Sequence, residues 1–142
     1  MHSSILLPAA VLVGWSLVML MWVVATRFPA LQKSGIDLAK APPGGRGESL
    51  NGVLPDSVMW KSHNFTHLME QPTLFYAAVA ILALAGAGEG LNTQLAWGYV
   101  AIRIIHSLWQ ATVNTIPVRF GLYLLSTICL VALAVNAIRA TL

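Results

Sequence analysis

The sequence predicts an all-α integral membrane protein built as a four-helix transmembrane bundle. Three observations carry that prediction. Of 142 residues, 57% are hydrophobic and only 9% charged, against about 25% charged in ordinary soluble domains. Four stretches reach the roughly 20 residues that a bilayer crossing requires. The connections between the last three stretches are short turns, which make consecutive helices antiparallel neighbours. The length allows one domain, residues 1–142, with spans at about 5–26, 63–85, 93–113 and 118–138.

The first span, Ile5 to Thr26, carries no charge. It lacks the basic start and small-residue cleavage site of a signal peptide and is expected to stay in the membrane. Residues 27–62 form a long polar loop containing "APPGGRGESLNG", whose Pro, Gly and Ser argue for irregular backbone. The second span, His63 to Ala85, ends at the "GAGEG" turn. The third, Thr93 to Val113, ends at "NTIP", where Pro117 is suited to open the fourth helix. That fourth span, Val118 to Ile138, is charged only at Arg119.

The net charge of +3 does not imply a nucleic-acid partner, because five of the eight Lys/Arg lie between residues 27 and 61, beside a membrane span. Basic residues favour the cytoplasmic side. Loops 27–62 and 114–117 are therefore expected in the cytoplasm and both termini outside. The single cysteine, Cys129, sits in an apolar run and reads as a small buried residue.

Polar residues inside membrane spans usually face the bundle interior and mark function. Their spacing here is regular. His63, His67 and Glu70 follow i, i+4, i+7 on the second helix. Arg103, His106 and Gln110 follow i, i+3, i+7 on the third. Arg119, Tyr123 and Ser126 follow i, i+4, i+7 on the fourth. Each set lies on one helix face, so the three stripes suggest one shared polar cavity. With Trp60 and Asn114 as the cytoplasmic ends, Glu70 lies roughly 15 Å deep and Arg103 roughly 16 Å deep. The matching depths predict a Glu70–Arg103 ion pair at the cavity floor, either as part of a site or simply as a lock between two helices. His67 and His106 also match, at roughly 10 to 12 Å. Two histidines and Glu70 could suit zinc, or the histidines iron, but one carboxylate and histidines at mixed depths make a weak ligand set. No metal site is expected. Arg27 at the end of the first span could be a plain snorkelling flank.

Two motifs resemble a known family. "HNFTHLMEQPTLFY" places Glu70 ahead of a Pro-containing apolar run, and "RIIHSLWQATVNTIPVRFGLY" has R-x-x-H, a turn ending P-x-R, then Tyr four residues on. Together with the four spans, these resemble the membrane-associated proteins in eicosanoid and glutathione metabolism, the MAPEG family. That family includes microsomal glutathione transferases, leukotriene C synthase and microsomal prostaglandin E synthase.

The resemblance implies a homotrimer with sites between protomers, glutathione as cosubstrate in a cytoplasm-facing crevice, and a hydrophobic substrate arriving from the lipid. By position, Arg119 would stabilise the glutathione thiolate, since a nearby guanidinium favours that form. Tyr123, His106 and Glu70 match positions that line or support the site, and Arg27 matches a basic residue that reaches a neighbouring protomer. The chain departs from the family pattern at His63 and Thr66, often Arg, at His67, often Asn, and at Gln110, often Tyr. The pattern around "HNF" resembles a bacterial branch, implying a bacterial inner membrane.

The expected function is a glutathione-dependent transferase or peroxidase acting on hydrophobic electrophiles. The alternatives are a non-enzymatic structural or accessory membrane subunit, and a binder of another anionic or lipid-like ligand in the same cavity. The site residues under the first reading are Arg119 as catalytic group, with Arg27, His63, His67, Glu70, Arg103, His106, Gln110 and Tyr123 binding ligand.

Overall fold

A computed structural model describes residues 3–142. Four α-helices follow one another: α1 Leu6–Lys33, α2 Asp56–Leu84, α3 Leu91–Thr112 and α4 Ile116–Thr141. Two short 3-10 turns, Leu38–Lys40 and Gly47–Leu50, interrupt the first loop, and no strand occurs among the described residues. α3 packs on α4, α2 and α1, and α2 on α1 and α4.

The helices outrun the apolar stretches. α1 passes Thr26 and continues through Pro29 to Lys33, because proline removes one donor and a membrane helix tolerates that loss where neighbours compensate. α2 starts at Asp56 rather than near His63. Pro55 presets the entering backbone, and Asp56 in the first turn suits the positive helix end. The irregular segment between α1 and α2 is therefore shorter than 27–62. Pro72 lies within α2, and the helix continues through it.

The turns behave as their residues predict. Gly86 and Gly90 take positive φ, +71° and +60°, at the α2–α3 connection. At the α3–α4 connection the single non-glycine residue with positive φ among the described residues is Asn114, +56°. Its amide donates to the Trp109 carbonyl at 2.8 Å, so asparagine closes α3 in the left-handed cap position that it tolerates better than most residues. Pro117 follows in the first turn of α4.

The core is apolar and runs the length of the bundle, with Leu12, Met19, Phe75, Leu82, Tyr99 and Leu133 fully buried. Phe75 and Tyr99 stack at 4.4 Å between ring centroids. The outer surface is apolar too. Leu7, Leu17 and Met21 of α1 and Ile128 and Ile138 of α4 are exposed, the reverse of a water-soluble bundle.

α1, α2 and α4 are long and apolar enough to cross a membrane. α3 falls short of that composition, contrary to the expectation of four apolar spans. At 22 residues it reaches about 33 Å, but it carries Arg103, His106, Ser107 and Gln110, all turned inward and buried.

The chain start is clasped to the α2–α3 turn. Ser4 donates its amide and its hydroxyl to the two Glu89 carboxylate oxygens at 2.7 and 2.6 Å, and the Ile5 amide donates to the Gly88 carbonyl at 3.1 Å. The Ser4 hydroxyl bond, and then its amide bond, hold the Glu89 carboxyl below the usual carboxylate range. A depressed folded-state pKa adds stability above the unfolded value and loses it as pH falls through the folded one. Hydrogen exchange at the Ile5 amide is therefore expected to accelerate as pH falls through the folded Glu89 titration, after allowing for intrinsic exchange. Glu89→Gln is expected to remove that acid-dependent step.

Candidate functional site

The candidate site is built where α2, α3 and α4 meet. His67, His106, Arg119 and Tyr123 converge on one open crevice of about 230 Å³, closed on its apolar side by Ile116 and Phe120. The His67 ring lies 5.1 Å from that of His106 and 5.5 Å from that of Tyr123, centroid to centroid. Helical spacing explains the convergence. His106 and Gln110 are one turn apart on the inward face of α3, and Arg119 and Tyr123 are one turn apart at the start of α4.

Arg103 sits behind the crevice and is 0% exposed. Its guanidinium lies 5.9 Å from the ring centres of both Tyr99 and Tyr123, within cation–π range. Its Nη1 is 3.4 Å from His67 Nε2, and Nη2 donates to the His67 carbonyl at 3.3 Å. On the other side of the same imidazole, Nδ1 is 3.0 Å from Glu70 Oε2.

The expected Glu70–Arg103 ion pair is thus not formed; among the described residues the carboxylate within reach of His67 is Glu70, and Arg103 touches none. Depth along the axis is not enough to pair two side chains, because direction around the axis decides contact. Residues three apart on a helix differ in direction by about 60°. His67 takes the position toward α3, and Glu70 turns outward, its side chain 62% exposed. The result is a chain of contacts, carboxylate to imidazole to guanidinium, in which His67 is the middle member.

The other predicted residues divide. Arg119 is half-buried. Its Nη1 donates to Asn114 Oδ1 at 2.8 Å, and no carboxylate pairs with it among the described residues. Asn114 therefore both caps α3 and aims the Arg119 side chain. Gln110 is buried and its Oε1 has no hydrogen bond, as is also true of His106 Nε2 and Arg103 Nε. Such orphaned atoms are uncommon in a folded interior; of the residues that carry them His106 lines the crevice, and Trp15, Arg27, Asn64 and Tyr76 carry others elsewhere in the bundle. His63 is exposed and lies away from it, with Nε2 2.9 Å from Asn51 Oδ1 in the first loop. Arg27 also turns to its own chain, donating from Nη2 to the Ser62 hydroxyl, with its guanidinium against Gly47. Thr66 is exposed.

A groove of about 880 Å³ opens beside the crevice, between α2 and α4. Its walls are mostly Leu, Ile, Val and Ala, from Leu74 and Ile81 to Val131 and Ile138. His67 and Tyr123 line both the groove and the crevice. Glu70 and Gln71 stand at the groove's polar end.

Several polar contacts were not singled out from sequence. Asn64 Nδ2 donates to Ser107 Oγ at 2.7 Å, Gln71 Nε2 to Thr127 Oγ1 at 2.9 Å, and Asn136 Nδ2 to Asn92 Oδ1 at 2.7 Å. Each joins two helices. The signal available in sequence was an amide residue inside an apolar run; the small hydroxyl partners Ser107 and Thr127 give none. No group of three or more His, Cys, Asp or Glu able to hold a metal ion occurs among the described residues.

A family model described as the MAPEG family matches residues 5–139. No curated protein and no solved structure matches the chain.

These contacts separate packing groups from exposed ones. Asn64→Leu, which strips Ser107 of its partner, is expected to cost roughly 0.5–2 kcal/mol of bundle stability. Glu70→Gln, at an exposed carboxylate, is expected to stay within about 0.5 kcal/mol of the parent. Thermal denaturation in detergent micelles checks both.

Proposed function

Because this chain belongs to the MAPEG family and carries helices able to cross a membrane, it is an integral membrane protein, and we propose that it is a glutathione-dependent transferase or peroxidase for hydrophobic electrophiles. One observation carries the reading. Arg119, a cation with no carboxylate partner among the described residues, lines a crevice with His67, His106 and Tyr123, and that crevice shares His67 and Tyr123 with an apolar groove. An unpaired guanidinium beside a crevice favours an anion, and a thiolate is the anion that the family's chemistry uses. The groove suits an apolar co-substrate delivered from the bilayer.

The assembly proposed is a homotrimer. At about 230 Å³ the crevice is smaller than the roughly 300–1,000 Å³ of ordinary ligand pockets, so a neighbouring protomer would supply the remaining wall. The exposed apolar faces of α1 and α4 provide surface for such a neighbour. Glutathione would lie with its thiol toward Arg119 and Tyr123, which line the crevice with His67 and His106.

A second reading, a site for another anionic or lipid-like ligand, draws on the same free cation and on the departures at Thr66 and Gln110. One titration separates the two. Purified protein mixed with glutathione is expected to develop thiolate absorbance in the ultraviolet, and Arg119→Ala is expected to lose it while keeping the parent's oligomeric state. Absence of glutathione binding by calorimetry at millimolar ligand would remove the glutathione reading and leave the second.

A further inference from the structure

His67 is the residue shared by the two cavities, and its surroundings give it more than a lining role. On the α2 side, Glu70 Oε2 lies 3.0 Å from Nδ1. On the α3 side, Arg103 Nη1 lies 3.4 Å from Nε2, and the His106 ring is 5.1 Å away. On the α4 side, Tyr123 is 5.5 Å away between ring centres, and Arg119 lines the same crevice.

These contacts select a tautomer. Glu70 accepts, so Nδ1 carries the proton; Arg103 donates, so Nε2 carries the lone pair. The Nε2 contact at 3.4 Å is longer than the 2.7–3.2 Å or so of an ordinary hydrogen bond from N–H. The lone pair is therefore only weakly committed. Arg103 keeps a separate hold on the His67 carbonyl, which does not depend on the ring. The Glu70 side chain against Nδ1 favours an imidazolium when one forms, and the Arg103 guanidinium beside Nε2 opposes it, so a proton taken up there is readily passed on. His106 lines the crevice but not the groove, and has no carboxylate contact among the described residues.

Building on the transferase reading above, we propose that His67 is a proton shuttle between the two substrates, with Glu70 as its positioning residue. The thiol S–H bond breaks, its proton passes to His67 Nε2, and the electron pair stays on sulfur as a thiolate beside Arg119. Sulfur then attacks the electrophilic carbon of the apolar substrate lying at the groove's polar end. The bond from that carbon to its leaving group breaks, the pair departs with the leaving group, and that group takes the proton from Nε2. Charge and protons balance without a further reactant. The position between crevice and groove is what lets one imidazole reach both partners.

Stopped-flow mixing with glutathione across a pH series, read as thiolate absorbance, tests the proposal on the intact membrane protein. In the parent, the rate of thiolate formation should show a limb that rises as His67 becomes unprotonated. His67→Asn should remove that limb and slow the step by at least about 100-fold, the lower range for general acid–base catalysis, while the final thiolate amplitude persists through Arg119. His67→Gln, which also cannot take up the proton, should behave alike and covers the case in which the asparagine variant does not fold. Glu70→Gln should keep the limb but slow the step. A parent that forms thiolate, with both His67 variants matching its rate and limb, would overturn the shuttle and leave the transferase reading intact. A parent that forms no thiolate would overturn the transferase reading itself.

Discussion

The structure depends on a guanidinium that has been taken out of both water and lipid. Arg103 is fully buried in α3, and an isolated charge in such a place is costly. The bundle meets that cost without a direct ion pair. Two tyrosine faces flank the cation, the His67 carbonyl accepts one hydrogen bond, and the His67 ring relays the influence of Glu70 from the surface. The arrangement forces α3 to present its polar face inward. α3 therefore packs against each of the other three helices, and the strongly apolar faces fall to α1 and α4.

Polar contacts in the bundle are of two kinds. Asn64–Ser107, Gln71–Thr127 and Asn92–Asn136 are short bonds between helices, and each contributes modestly to fixing helix register. At the crevice the two kinds meet: Arg119 and His67 make short bonds to Asn114 and Glu70, whereas the Arg103 contacts to His67 exceed 3.2 Å and His106 keeps an uncommitted atom. The tight closure of α3 at Asn114 belongs to the same design, because its side chain fixes Arg119 at the crevice edge.

Composition and periodicity alone determined the class of this protein. An uncharged 22-residue opening run, short Gly- and Pro-marked turns, and polar stripes at i, i+3, i+4 and i+7 admit little besides a helical membrane bundle. The stripes also identified His67, His106, Arg119 and Tyr123 as neighbours, and these four do share one crevice. The motif from Arg103 to Tyr123 pointed to the family whose model matches residues 5–139. All of this is written in residue type and spacing along single helices.

What only the tertiary structure decided is direction and partnership between helices. Depth along an axis follows from counting residues at about 1.5 Å each, but the rotation of α2 against α3 does not. A turn of about 60° between His67 and Glu70 sends one inward and the other into the groove. It also converts an expected ion pair into a relay through an imidazole. The same holds for His63, which helical spacing grouped with the site, and for Arg27, which the family resemblance placed there; the folded first loop claims them through Asn51 and the backbone at Gly47. Local spacing fixes which face a residue occupies; packing energy, summed over the whole bundle, fixes what that face meets.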